Sequence, residues 1–354
     1  MRNEWDGIGV MSGTSLDGID LAWCHFIRKE GGKWDYCIEK ATTVPYAEDF
    51  RQRLANAQEI SAFEYVKLNN DVAEVFAKAI NKWLEDGPRP DFIASHGHTV
   101  FHQPSIGLTT QIGNGAILAA RTGIPTVCDF RTTNVALGGQ GAPLVPIGDE
   151  LLFGEYDACL NLGGFSNISY RVDEKRIAYD ISPCNMALNA IANRAGISYD
   201  KDGQLSRKGV VIPALIQKLN NLDYYHQKPP KSLGKEWYES VFYPVIVPFL
   251  KDSSLSDVPR TIVEHIAMQI IANVPENAQT LLITGGGAHH SFLIEQIHNQ
   301  RDTLKIIVPD HLIVDYKEAL IFAFLGLLRL IGEPNCLHSV TGANKDSCGG
   351  CIYL

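Results

Sequence analysis

The sequence predicts an α/β protein with mixed sheets, divided into two related domains. Three observations carry that expectation. At 354 residues the chain exceeds the size at which a single hydrophobic core stops growing. Strand-like apolar runs alternate with segments of helical periodicity through both halves. One pattern, a strand, a glycine-rich polar turn and a second strand, opens the chain and returns near its middle.

The opening strand is GIGVM, Gly7 to Met11, followed by the turn Ser12 to Gly18 and a second strand, Ile19 to Phe26. So few residues separate the two strands that a hairpin is suggested, because a parallel crossover needs a dozen or more. A polar third strand is expected near Trp34 to Lys40. Val72, Val75, Phe76, Ala79, Ile80, Trp83 and Leu84 then recur at helical spacing, and Pro88 and Pro90 end that helix. Asp91 to Gly97 reads as a buried strand leading into a polar loop, Gly113 to Gly123 as a helix, and Ile124 to Phe130 as a strand. A glycine-dense loop, Gly138 to Gly141, closes at Pro143.

The repeat begins at Asp157 and runs to Val172, with Gly163-Gly164-Phe165-Ser166-Asn167 as its turn. The boundary is therefore placed between Pro143 and Glu155, giving domains of residues 1–148 and 149–354, the final helix being free to pack back on the first. A helix follows Pro183, then a Pro-rich polar excursion from Gln227 to Gly234 and a helix from Thr261 to Ile271. The strand Thr280 to Thr284 leads into Gly285-Gly286-Gly287 and a helix through Ile297. Ile306 to Pro309 is strand-like, and Ala319 to Leu330 reads as a long apolar helix.

Apolar residues make up 45% of the chain and charged residues 20%, an ordinary globular balance. A formal charge of −9 argues against nucleic acid or an anionic membrane as the main partner, since both favour basic surfaces. It does not exclude nucleotides, which backbone amides, a lysine or a metal ion can hold. The N-terminus has no long apolar run after its basic residue, and no stretch reaches the length of a membrane span, so a cytoplasmic location is expected. Cys24, Cys37 and Cys159 sit in apolar sequence and read as reduced core thiols; Cys348-x-x-Cys351 lacks the further soft ligands of a structural zinc site.

Chemistry is concentrated in glycine-lined turns. Gly13-Thr14-Ser15-Leu16-Asp17-Gly18-Ile19-Asp20 offers backbone amides and hydroxyl donors to an oxyanion, and Asp17 or Asp20 suits Mg²⁺ directly or through water. An ordinary hairpin turn is the rival reading. The chain holds no P-loop signature, and no dinucleotide fingerprint follows the first strand. The symmetry of Gly163, Gly164, Ser166 and Asn167 with the first turn suggests that both embrace one phosphate chain across a central cleft. Gly285, Gly286 and Gly287 suit close approach of a flat ring or a sugar, against a tight strand-to-helix turn. Asp180 ends a strand-like IAYD and suits a general base; the competing role is a helix N-cap, shared with Ser182. His96 and His98, two apart on a strand, would face one side, and Asp129 and Arg131 form a candidate charged pair. Arg131 suits a carboxylate through its planar fork.

Several of these segments, in order, resemble the anhydro-N-acetylmuramic acid kinase family: Gly9 to Asp20, Ser95-His96-Gly97-His98-Thr99, Gln111 to Pro146, Asn161 to Ile168, Pro229-Pro230-Lys231-Ser232-x-Gly234, Gly285 to Ala288, and Asp315-x-Lys317-Glu318-Ala319. The resemblance implies the actin-like (ribonuclease H-like) ATPase fold, two related domains about a cleft, ATP and Mg²⁺ as cofactors, and a homodimer. It implies hydration of the anomeric carbon of 1,6-anhydro-N-acetylmuramic acid, opening of the anhydro bridge and phosphorylation of the released 6-oxygen, in peptidoglycan recycling. Asp180 falls on the family's base, Gly13 to Asp20 on its ATP-phosphate cradle, and His96, Asn185 and Glu318 on sugar-side positions. The chain departs from the family pattern at Ile181, Ser182, Cys184, Asn134, His98 and Asn189. The first three are expected to crowd the turn beside the sugar, leaving open a kinase for another amino sugar, or a regulatory ATP-binding protein on the same fold.

Overall fold

The computed structural model describes residues 2–13, 16–85 and 87–354, the side chain of Asp252 aside. It forms two compact units, Met1–Gly154 with Tyr316–Leu354, and Glu155–Asp315.

In the first unit, β1 (Glu4–Ser12), β2 (Gly18–Arg28) and β3 (Trp34–Pro45) pair antiparallel in sequence. β4 (Phe92–Gln103) then lies parallel to β1, and β6 (Thr126–Cys128) parallel to β4, while β5 (Leu108–Ile112) folds back on β4. In the second unit, β7 (Ala158–Leu162), β8 (Phe165–Val172) and β9 (Lys175–Pro183) are again antiparallel neighbours. β10 (Thr280–Thr284) lies parallel to β7, and β11 (Lys305–Ile307) parallel to β10. β12 (Cys351–Tyr353) pairs antiparallel with β6. Each unit thus repeats one scheme, a three-strand meander followed by two crossovers to the far side of its first strand. The repeated strand-turn-strand of the sequence is the opening of each meander, and the architecture is α/β with two mixed sheets.

Helical periodicity translates into burial. Ser61 caps Ala62–Leu84 through a capping box with Glu64, and Leu68, Val72, Phe76, Ile80 and Leu84 pack with Ile8, Val10 and Leu21 of the strands. In the second unit Ile262, Val263, Ile266 and Ile270 of the helix Asp257–Asn273 join Leu160, Ile168 and Leu281 of the sheet. Within the helix His311–Ile331 the stretch Ala319 to Leu325 is wholly apolar and at most 2% exposed, so this part is a core helix. It approaches β1 so closely that a Cβ at Gly9 would stand 1.8 Å from the carbonyl oxygen of Ala319. Among the described residues, no helix is long and apolar enough to cross a membrane.

The structure departs from the sequence reading in several places. β4 does not end at Gly97 but continues to Gln103, with Gly97 at a φ of +73° absorbing a register irregularity. β6 keeps only three residues of the expected Ile124 to Phe130 strand. The helices Glu48–Ala55 and Pro213–Asn220, and strands β5 and β12, are too short to leave a clear periodic signal. Cys24 and Cys159 are buried as expected, but Cys37 is exposed and donates to Glu39 Oε1 at 3.0 Å.

Candidate functional site

Four polar residues line up across the second unit's sheet. Strand register sets Thr284 opposite Asn161, Asn161 opposite Asn167, and Asn167 opposite Asp180. Directly opposed residues share a face, so the row presents one polar edge near the strand ends. Asp180 Oδ2 accepts the N–H of Leu233 at 2.8 Å, and the Asp180 carbonyl accepts the Tyr224 hydroxyl at 2.6 Å. Burial pushes the Asp180 carboxyl above the usual carboxylate range, and the Leu233 N–H opposes that rise. Asp180 is therefore not a helix cap. The helix Asn185–Arg194 begins at Cys184 with no side-chain cap, and Ser182 Oγ contacts Pro183 O and the Tyr225 hydroxyl instead.

Asn185 is bonded to the first glycine turn of this unit and lies close against the second. Its N–H donates to Gly163 O at 3.1 Å and its Nδ2 to Leu162 O at 3.0 Å, while a Cβ at Gly287 would stand 3.1 Å from its Oδ1. Not all these glycines serve the same need. Gly285 adopts a φ of +82° with Asn161 Oδ1 2.5 Å from its missing Cβ, so the fold itself demands glycine. At Gly164 and Gly286 a Cβ would meet nothing closer than 3.8 and 3.7 Å respectively. The fold would accept side chains there, and their absence leaves bare backbone for a ligand. Ser166 is wholly buried and donates to Ser182 O at 3.1 Å, so its hydroxyl is engaged inside the sheet.

Beside Gly286 lies a recess of about 520 Å³ bordered by Asn185, Asn189, Tyr199, Asp200 and His290. That is the size of a small-molecule site. Burial works against the Asp200 carboxylate, yet His290, Ser206 and the Leu205 N–H hold it well below the usual range. A fixed negative charge thus stands in the wall.

The crowding expected from Ile181, Ser182 and Cys184 is not present. Ile181 and Cys184 are wholly buried members of the second unit's hydrophobic core, and Ser182 is likewise buried. Tyr179 and Ile181, two apart on β9, both join the core, and Asp180 between them stands opposite Asn167.

In the first unit, Thr14 and Ser15 of the opening turn lie outside the described residues. Leu16, at a φ of +59°, donates its N–H to Gly13 O at 3.3 Å and packs against the core. Asp17 is exposed, whereas Gly18 and Ile19 are buried in β2. Asp20 accepts the Thr43 hydroxyl at 2.6 Å. His96 and Arg131 meet directly: Nε and Nη2 of Arg131 lie 3.2 and 2.9 Å from His96 Nε2, and Nη1 donates to Gly141 O at 2.6 Å. The expected pairing of Arg131 with Asp129 gives way to these contacts, and Asp129 instead accepts the Thr132 N–H at 3.2 Å. Burial lowers the Arg131 guanidinium to about 10, which keeps it charged at neutral pH, and Glu318 opposes that fall. Glu318 itself is raised by desolvation, with Arg131 lowering it and Asp20 raising it. Glu318 therefore feels both Arg131 and Asp20.

His98 has a hydrogen-bond partner of its own, apart from the contact of His96 with Arg131. His98 Nδ1 lies 3.1 Å from Ser12 Oγ, which also contacts the Tyr46 hydroxyl at 2.6 Å. Asn134 is wholly buried, donating to Thr341 Oγ1 at 2.9 Å and accepting the Gly141 N–H at 2.8 Å. An amide can do both; an ionised carboxylate could only accept.

Among the described residues, no group of three or more His, Cys, Asp or Glu side chains could cage a metal ion. Mg²⁺ accompanying a polyphosphate takes one or two carboxylates and otherwise keeps phosphate and water oxygens. Asp20, beside Glu318, has the better surroundings for it than exposed Asp17. Sequence reasoning missed Tyr224 and Leu233 around Asp180, and Tyr46 beside Ser12. The Pro229 to Gly234 motif, which contains Leu233, was the available signal for that residue.

A family model described as anhydro-N-acetylmuramic acid kinase matches residues 6–354. Proteins of that name from Hydrogenovibrio crunogenus and Aliivibrio fischeri are 34% and 35% identical over 368 and 365 residues. Each match spans 98% of this chain, and 97% and 98% of the relative. A ROK family glucokinase from Streptomyces griseus, solved with glucose and AMPPNP, is similar over 90% of this chain and 97% of its own, at 13% identity and a TM-score of 0.39. A likeness that distant carries no argument.

Proposed function

The chain belongs to the anhydro-N-acetylmuramic acid kinase family, and from that premise we propose that Asp180 is the base of a coupled hydration and phosphoryl transfer. The protein is an ATP-dependent carbohydrate kinase whose substrate is 1,6-anhydro-N-acetylmuramate. Asp180 takes a proton from water as the water oxygen bonds to the anomeric carbon. The bond from that carbon to O6 breaks, and O6 takes the γ-phosphoryl group of ATP. The products are N-acetylmuramate 6-phosphate and ADP.

The observation that supports this reading best is the raised, half-buried Asp180 carboxyl at the end of the polar row. A carboxylate raised above its usual range is a stronger proton acceptor than an exposed one. Gly163 and Gly164, with the turn from Gly13 to Asp20, are assigned to the ATP phosphates, and the recess beside Gly286 to the nucleoside. Mg²⁺ held by Asp20, with Asp17 the alternative, would offset phosphate charge. Arg131 uses three of its N–H groups on His96 and Gly141 among the described residues, leaving others of its five for the lactyl carboxylate. Glu318 and Asn185 complete the sugar-side assignment. A cytoplasmic homodimer is part of the same proposal.

The test is turnover of 1,6-anhydro-N-acetylmuramate with Mg²⁺-ATP in heavy-oxygen water, sampled before anomeric exchange. One heavy oxygen at the anomeric position of a sugar 6-phosphate is expected, and Asp180→Asn should abolish it. ATP binding without any product would overturn the assigned reaction.

A further inference from the structure

The segment Pro229-Pro230-Lys231-Ser232-x-Gly234 has no task in the reaction above, yet it lies against the proposed base. We infer that this segment is a strap holding Asp180 in position, anchored by Lys231. The inference rests on the reading of Asp180 as the base.

Two backbone groups of the strap meet Asp180. The Asp180 N–H donates to Lys231 O at 3.4 Å, and the Leu233 N–H donates to Asp180 Oδ2 at 2.8 Å. Residues two apart thus touch the same residue, as a neighbouring strand would. The strap is anchored in turn by the Lys231 side chain. Its ammonium lies 4.7 Å from the ring centre of Tyr224 and 5.8 Å from that of Tyr179, and donates to Tyr224 O at 3.4 Å. Tyr224 closes the circuit, because its hydroxyl donates to the Asp180 carbonyl at 2.6 Å.

The far side of the circuit is fixed. Tyr224 is 4% exposed, and its ring stands 5.3 Å from that of Trp237 and 5.9 Å from that of Tyr225. The titratable groups about Asp180 are therefore Tyr224 and Lys231, with Tyr179 and Tyr225 behind them. Lys231 acts on Asp180 through the strap and the Tyr224 ring, which makes it a positioning residue. Loosening the strap has two consequences. The carboxylate loses its set orientation, and it loses the Leu233 N–H that stabilises its charged form against burial.

The experiment compares Lys231→Met, Lys231→Arg and Tyr224→Phe with the unaltered enzyme, using Mg²⁺-ATP and the anhydro sugar. For Lys231→Met, kcat should fall about 10- to 100-fold, the loss a misplaced reacting group brings, with both KM values within about twofold. The acid limb of kcat/KM should move to higher pH, because the base is harder to ionise. Lys231→Arg, which keeps a cation over the rings, should recover most of both changes. Tyr224→Phe keeps the ring and removes the bond to the Asp180 carbonyl, and should move both readouts the same way by less. It decides the matter if Lys231→Met does not fold. A raised sugar KM with unchanged kcat and acid limb in Lys231→Met would mean that Lys231 touches substrate, and would overturn the inference. So would unchanged behaviour of both variants alongside an inactive Asp180→Asn. An active Asp180→Asn enzyme would instead remove the base assignment on which the strap depends.

Discussion

Arg131 donates through both Nε and Nη2 to a single acceptor, the Nε2 of His96. The other ring nitrogen, Nδ1, lies 2.9 Å from the carbonyl oxygen of Gly97 and must carry the proton. Burial and the neighbouring guanidinium both hold His96 well below its ordinary value, so the ring is neutral. It orients the arginine without competing for an anion.

It follows that His96→Phe should misdirect Arg131 while leaving the base alone. The sugar KM is expected to rise about 10-fold, the order of one hydrogen bond to a charged group, with kcat little changed. The difference should vanish with 1,6-anhydro-N-acetylglucosamine, which has no lactyl carboxylate. Steady-state kinetics with the two sugars checks this.

The glycines divide into those the fold needs and those a ligand needs. Gly9→Ala forces a methyl into the Ala319 carbonyl and should destabilise the first unit by about 1–3 kcal/mol or more, read as a lowered melting temperature. Gly164→Ala, with its nearest neighbour 3.8 Å away, should melt like the parent but bind ATP more weakly. Thermal melts and nucleotide titration separate the two classes.

Cys184 departs from the family pattern, but its side chain belongs to the core. Cys184→Gly should therefore lower stability by about 1–3 kcal/mol, through lost packing and a freer backbone, without changing the preferred sugar. A switch in substrate preference would place the thiol in the pocket instead.

Two neutral buried histidines make the fold acid-sensitive. His265 is wholly buried and pushed down to about 3 by desolvation, and His96 lies in the same direction. In the unfolded chain both titrate near about 6.5. Below that pH the unfolded state binds protons that the native state refuses, so stability falls as pH drops, by up to about 1.4 kcal/mol per unit for each ring. For His265 that window extends down to about 3. Melting temperatures should decline from about pH 7 to about pH 5.5, and His265→Gln should flatten the slope.

Much of the architecture was legible because its signals are local. Helical spacing from Val72 to Leu84, and two strand-turn-strand openings, depend only on the alternation of apolar and polar side chains along a few turns or a hairpin. Ordered motifs likewise pointed to Asp180, Arg131 and the glycine turns. What depends on distant residues meeting was not legible. The row from Thr284 to Asp180 exists only because parallel and antiparallel neighbours fix register across four strands. Ile181 and Cys184 looked like obstructions in the linear motif, and packing buries both in the core. The partners of Asp180 come from Tyr224 and Leu233, more than forty residues away along the chain. Sequence by itself determined the class of fold, the family and the residues available for chemistry, because periodicity and motif order are properties of the chain. Tertiary structure alone decided which side chains face one another and which vanish into the core, because burial and hydrogen-bond geometry arise only when separate segments pack together.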